Sequence, residues 1–312
     1  MKNRAFLSFS ALLIPFFLIS FSTRDKLHRI ELTSTDDLKT FFTYSPDRIP
    51  FVSSHRGGAT IGYPENSIET FEHTLQSVHS IMEIDPHFTK DSAIVLMHDG
   101  TLNRTSTGKG KVSDYTLAEI KKLKLKDPQG NITNQRIPTL DEALQWAKGK
   151  TILVLDMKDV PIKARVKKIE ANHAEFSTIV MAYSLEDAKA CYALNKNIMM
   201  EVMLNSEAKV KEFDSTGIPW TNVVVFVSHL TPIDKKLIDE IHKRGAMTIL
   251  GSSRNIDADY AHSKITKQEL EKGYRNMIDH GTDIIEADLG IEAGIALQSM
   301  RPSPSKKDKF FK

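Results

Sequence analysis

Cysteine is almost missing from this chain: Cys191 is the only one in 312 residues. A lone thiol excludes internal disulfides in any compartment, and it excludes a thiolate metal cluster. Cys191 sits among Leu185, Ala188 and Tyr192 at helical spacing, which marks a buried thiol rather than a nucleophile. An excess of charge is missing as well. Lys and Arg number 42 against 40 Asp and Glu, and no acidic residue precedes position 23. Loss of Lys2 and Arg4 with a leader would leave 40 of each sign. A neutral chain lacks the basic footprint of a nucleic-acid binder. No internal repeat stands out. The 40% hydrophobic content suffices for a sizeable core, in one large domain or two smaller ones.

The one long apolar run is N-terminal. Lys2 and Arg4 precede residues 5–21, and Ser20-Phe21-Ser22 offers small residues around a cut after position 22. Residues 1–22 therefore read as an export signal, placing the mature chain in the periplasm or outside the cell. The rival reading is an uncleaved anchor, the only membrane contact expected of this chain. No cysteine follows the run, so a lipid anchor on Cys is excluded.

Residues 23–50 form a lead-in, and a regular alternation begins at 51. Nine apolar or β-branched runs, at 51–55, 81–85, 94–98, 151–157, 178–183, 198–203, 223–227, 247–250 and 283–287, alternate with amphipathic helical segments. Helix starts are marked by Asn66 with Glu69, by Thr139 with Glu142 and by Pro161, and helix ends by Gly245 and Gly281. Strand-helix alternation implies a parallel sheet, and eight units close a (β/α)₈ TIM barrel over residues 51–300. The ninth run has a physical reason. Only residues 86–93 separate Asp85 from Ile94, too few for a helical crossover, so a hairpin turning at Lys90-Asp91-Ser92 is expected on the C-terminal rim. Antiparallel pairing there sets position 85 opposite about 97 and returns His98 beside the acidic pair. Residues 103–138 read as a long polar rim loop with one helix near 117–123, and the basic tail 301–312 as a disordered, solvated end.

The chemistry-bearing residues cluster at strand ends. Glu83 and Asp85 are two apart on a strand and share a face. Asp156 ends another apolar run, with Lys158 two positions on. Three carboxylates from two strand ends make an oxygen-rich site suited to Ca²⁺ or Mg²⁺. His55 ends the first strand and is followed by Arg56-Gly57-Gly58, where the guanidinium can hold a phosphate bidentately. His55 and His98 together offer one proton acceptor and one donor.

In order, Ser54-His55-Arg56-Gly57, Pro64-Glu65-Asn66-Ser67, Glu83-Ile84-Asp85, Phe88-Thr89-Lys90-Asp91, the stretch His98 to Thr105, Ile137-Pro138-Thr139-Leu140 and Asp156-Met157-Lys158 resemble the glycerophosphodiester phosphodiesterase family. The resemblance implies a barrel enzyme that cleaves a small glycerophosphodiester with a divalent cation. It makes His55 and His98 the acid-base pair and Glu83, Asp85 and Asp156 the metal ligands. Arg56 and Lys158 would hold the phosphate, and Glu65 would orient Arg56 or the metal shell, while Asn66 is read as a helix cap. Some positions depart from the family. Asp156 stands where the family usually has Glu, shortening the reach by roughly 1.5 Å. Pro86-His87 replaces an apolar continuation; His87 shares the face of the acidic pair, where it could meet substrate, but reads first as an exposed hairpin histidine. The mouth loops Leu250 to Asn255 and Ala287-Asp288-Leu289-Gly290 also differ, which leaves the released alcohol open. Two rivals remain: a phospholipase-type barrel, akin to sphingomyelinase D or a phosphoinositide phospholipase C, and an exported protein that binds phosphodiesters without cleaving them.

Overall fold

The computed structural model describes residues 27–229 and 233–312; the expected leader, 1–22, lies outside the described residues. The described residues form ten strands: β1 (Phe51–Ser54), β2 (Ser80–Ile84), β3 (Pro86–Phe88), β4 (Ile94–Leu96), β5 (Leu153–Leu155), β6 (Thr178–Ala182), β7 (Met199–Met203), β8 (Val223–Ser228), β9 (Thr248–Gly251) and β10 (Ile284–Ala287). Eight of them close a parallel barrel in the order β1-β10-β9-β8-β7-β6-β5-β2, and β3 and β4 form a separate antiparallel pair. Among the described residues no helix is long and apolar enough to cross a membrane.

The ninth run is the hairpin its short spacing demanded. Pro86 pairs Leu96, His87 pairs Val95 and Phe88 pairs Ile94. One step further, Met97 N–H donates to the Asp85 carbonyl at 2.8 Å, so His98 does return beside Asp85. Ser92 takes the left-handed conformation (φ 63°) that the tight turn needs.

Strand side chains alternate between two apolar clusters. Met82, Ile84, Leu153 and Leu155 pack outward with helix residues such as Phe71, Leu144 and Val166. Ile81, Val154, Ile179, Met199, Val224, Ile249 and Ile284 fill the barrel interior. Cys191 is fully buried in the outer cluster, and burial pushes its thiol up to about 12. The rim segment around 103–138 has its own small core, with Met97, Leu102, Val112, Ile120, Leu125 and Ile137 buried together.

The tail corrects the expectation of a solvated end. Phe310 and Phe311 are buried with Phe41, Phe42 and Phe51 against the interior cluster. Arg29 N–H donates to the Lys312 carbonyl at 3.0 Å, and Lys312 N–H returns to Arg29 at 2.9 Å. Lys307 is buried too, its ammonium reaching the Thr40 and Thr43 carbonyls at the end of helix Thr35–Phe42. Charge and proline dominate the tail's composition, but two terminal phenylalanines outweigh them, because the open floor of a barrel needs an apolar cover. Lead-in and tail together supply it.

Candidate active site

His55 opens a short 3₁₀ turn directly after β1, with Arg56 held at φ 52°. Gly57 (φ 85°) makes the turn possible: a Cβ there would come within 2.3 Å of the Phe71 ring. This turn aims Arg56 N–H at Glu83 Oε2, 2.8 Å away. Among the described residues six non-glycine residues have positive φ, and three of them, Arg56, Asn66 and Lys158, stand at this site. Backbone strain of that kind persists only where the surroundings fix it.

Glu83, Asp85 and Asp156 converge as expected, offering one oxygen each within 4.8 Å of one another. All three are buried. Burial, then repulsion from Asp85, pushes the Glu83 carboxyl well above its ordinary range. Lys158 Nζ lies 3.0 Å from Asp85 and 2.7 Å from Asp156. Burial opposes charge on Asp156, but Lys158 and Tyr183 hold its carboxyl below the usual range, Tyr183 O–H donating at 2.5 Å. One ammonium does not neutralise three buried carboxylates, and an all-oxygen donor set fits a hard divalent cation. Asp156 reaches the cluster despite its shorter side chain.

The two imidazoles meet edge to face in the same cavity as Glu83 and Asp156, ring centroids 6.5 Å apart and planes at 80°. His55 Nδ1 lies 2.6 Å from Asp288 Oδ1. Burial works against a charge on His55, but the Asp288 hydrogen bond and the fields of Glu83 and Glu286 outweigh it and push its pKa up to about 10. His98 Nδ1 lies 2.9 Å from Asp99 Oδ1. Hydrogen bonds from Arg104, ahead of that from His98, hold the Asp99 carboxyl far below its usual range. An ionised carboxylate only accepts, so Nδ1 of His98 carries the proton of this hydrogen bond and Nε2 is the ring nitrogen left for another partner.

Glu65 lies between two guanidinium groups. It accepts from Arg56 Nη1 at 3.2 Å and from Arg104 Nη1 and Nη2 at 2.8 Å each. Burial opposes its charge, yet Arg104 and Arg56 keep its carboxyl below the ordinary value. His55, Arg56, Glu83, His98, Asp156 and Lys158 line a cavity of about 500 Å³. Asp85 sits beneath it and Glu65 behind Arg56.

Two expectations fail here. Asn66 is not the helix cap: Ser67 caps helix Ile68–Ser77, accepting from Thr70 N–H. Asn66 instead donates from Nδ2 to Asp85 Oδ2 at 2.6 Å and accepts from Asp85 N–H at 3.0 Å. Its left-handed backbone turns the side chain away from the helix end and toward β2. His87 is not exposed but 8% accessible, wedged between Asp159 at 3.1 Å and the His98 carbonyl at 3.3 Å. Sequence reasoning also missed Asp288, Tyr183, Glu201 and Glu286. The first two follow the ends of β10 and β6, where rim position was itself a signal. Glu286 and Glu201 lie inside the barrel on apolar strands. Burial pushes Glu286 up to about 7 against the pull of His55, and burial with repulsion from Glu286 raises Glu201 well above its usual range.

A barrel with two neighbouring histidines beside a carboxylate cluster is the arrangement of a phosphoric-diester hydrolase. The sequence model of the glycerophosphoryl diester phosphodiesterase family matches residues 55–251, and the chain belongs to that family. It is 44% identical to a glycerophosphoryl diester phosphodiesterase of Parabacteroides distasonis of known structure, with TM-score 0.88, over 92% of this chain and 99% of that one. A phosphodiesterase of Oleispira antarctica, solved with the product sn-glycerol-3-phosphate, shares the fold at 19% identity and TM-score 0.59, over 80% of this chain and 97% of that one. The glycerophosphodiester phosphodiesterase of Caldanaerobacter subterraneus is 31% identical over 152 residues, 48% of this chain and 60% of that protein. The chain spans about half the length of the curated relatives it matches first.

Proposed function

We propose that this chain hydrolyses glycerophosphodiesters to glycerol 3-phosphate and an alcohol, with His55 and His98 moving the protons. The observation that carries this reading is the pair of rings 6.5 Å apart over the cluster of Glu83, Asp85 and Asp156. These three carboxylates would hold the divalent cation, Ca²⁺ or Mg²⁺. When bound, the ion supplies charge that offsets the nonbridging phosphate oxygens.

Arg56 and Lys158 face the same cavity and hold the phosphate by charge-assisted hydrogen bonds. Glu65 fixes the Arg56 fork from behind. His98, with Nδ1 tied to Asp99, presents Nε2 as the base for the attacking oxygen, water or the adjacent glycerol hydroxyl. His55, charged at neutral pH, donates its proton to the departing alcohol oxygen. Orientation of the reacting oxygens by fixed groups contributes alongside proton transfer. The apolar N-terminal run supports export of the mature enzyme.

The experiment is a panel of glycerophosphodiesters, assayed for glycerol 3-phosphate release with added Ca²⁺, Mg²⁺ or chelator. His55→Ala and His98→Ala should each lower turnover by about 10²- to 10⁴-fold with the fold intact. Near-normal rates in either variant, or full activity in chelator, would overturn the assignment. Release from intact phospholipid vesicles, and none from glycerophosphodiesters, would favour a phospholipase.

A further inference from the structure

The ring order of the strands fixes which loops face the metal-binding carboxylates across the mouth. In the sequence β1-β10-β9-β8-β7-β6-β5-β2, the strand opposite β2 is β8 and the strand opposite β5 is β9. Glu83 and Asp85 belong to β2 and its end, and Asp156 follows β5. The far wall is therefore built by the residues after β8 and β9, of which His229, Ser253 and Arg254 line the same cavity.

That wall is held in place. The His229 ring covers Gly251 so closely that a Cβ there would lie 2.0 Å from Nδ1. The ring also packs on Phe226 at 4.8 Å, and Asn255 Nδ2 donates to the His229 and Gly251 carbonyls at 2.8 and 2.9 Å. Burial, then the nearby Arg254 charge, pushes His229 down to about 4, so it brings no charge of its own.

The cavity's other cationic side chains are all engaged. Arg56 pairs with Glu65, Lys158 with Asp85 and Asp156, and His55 with Asp288. Arg254 is exposed and has no ion pair or hydrogen bond among the described residues. The acidic lining residues near it are committed or sunken: Asp288 accepts from His55, and Glu286 is 5% accessible on the barrel floor. A trimethylammonium group is recognised by several aromatic faces around it, without a competing cation. Here the lining aromatics are Tyr183, whose hydroxyl is tied to Asp156, and Phe226, which is packed on His229.

We infer that Arg254 selects the substrate: the alcohol reaching across the mouth from the phosphorus carries an anionic group, a carboxylate or a second phosphate, rather than a cationic one. This rests on the glycerophosphodiesterase reading and names the substrate class within it. A cavity of about 500 Å³ leaves room for such a group beyond the phosphodiester.

The test compares kcat/KM for glycerophosphodiesters bearing choline, uncharged glycerol, or a phosphorylated glycerol head group, at one fixed metal concentration. The wild-type enzyme should prefer the phosphorylated head group to choline by at least tenfold. Arg254→Gln should reduce that ratio and Arg254→Glu should reduce it by tenfold or more, with thermal unfolding confirming that each variant folds. Raised salt should compress the ratio in the wild type and leave it nearly flat in the uncharged Arg254→Gln. Equal or better use of choline by the wild type, or a ratio unmoved by charge reversal, overturns the inference while the activity itself stands. Failure to cleave any member of the panel removes the activity and the inference together.

Discussion

Asp288 Oδ1 lies 2.6 Å from His55 Nδ1, joining two residues 233 positions apart, at the end of the last barrel strand and the end of the first. Those strands are neighbours in the closed ring, so barrel closure itself brings the two side chains together. The carboxylate favours the charged ring, and His55 is pushed up to about 10. A group acting as an acid is lost as pH rises through its pKa. Asp288→Asn keeps a hydrogen-bonding side chain but removes the charge, so the alkaline limb of kcat/KM should move to lower pH by about one unit or more. A pH-rate profile from 6 to 11 reads this directly. An unmoved limb would assign the proton donation to another group.

Arg104 ties the two halves of the machinery together. It donates to Asp99, which holds His98, and to Glu65, which holds Arg56. Its side chain is 48% exposed, so its ion pairs add little to global stability. Arg104→Gln should cost up to about 10²-fold in kcat through misplacement of His98 and Arg56. The melting temperature should stay within a few degrees of wild type. Steady-state kinetics alongside thermal unfolding separates this from a folding defect.

Divalent cations should stabilise the fold as well as support turnover. An ion that binds the folded carboxylate cluster adds about 2.7 kcal/mol at a hundred times its Kd. Calcium and magnesium titrations followed by thermal unfolding should show a saturable rise, and Asp85→Asn should abolish it. The same rise in Asp85→Asn would place the ion elsewhere.

Phe311 anchors the barrel floor against Phe41 and Phe51. Phe311→Ala should destabilise the protein by about 3 kcal/mol, as for other large-to-small changes in cores. The mouth lies at the other end of the barrel, so kcat at 25 °C should stay near wild type. Urea unfolding and kinetics on one preparation check both halves of this expectation.

Much of the barrel was written in short-range pattern. The apolar runs and the Thr139–Glu142 capping box needed only local periodicity, and the hairpin followed from the eight residues between Asp85 and Ile94. The carboxylate trio was legible because carboxylates at the ends of apolar strands have no cheap place to go. The failures share a cause, which is dependence on distant partners. Asn66 satisfied a local capping rule but is claimed by Asp85, and His87 looked exposed until Asp159 closed over it. The tail's phenylalanines matter only against a barrel floor that a linear reading does not contain. Glu201 sat unnoticed in an apolar run, and both its oxygens are buried without a hydrogen-bond partner among the described residues.

The hairpin that carries His98 stands outside the barrel sheet and shares a separate small core with the rim segment. Such a unit can open on its own, at a lower free-energy cost than the whole molecule. Turnover that requires His98 would then end when this unit opens. In mild denaturant, amide exchange around Val95 and Met97 should quicken and turnover should fade while the eight-stranded frame is still intact.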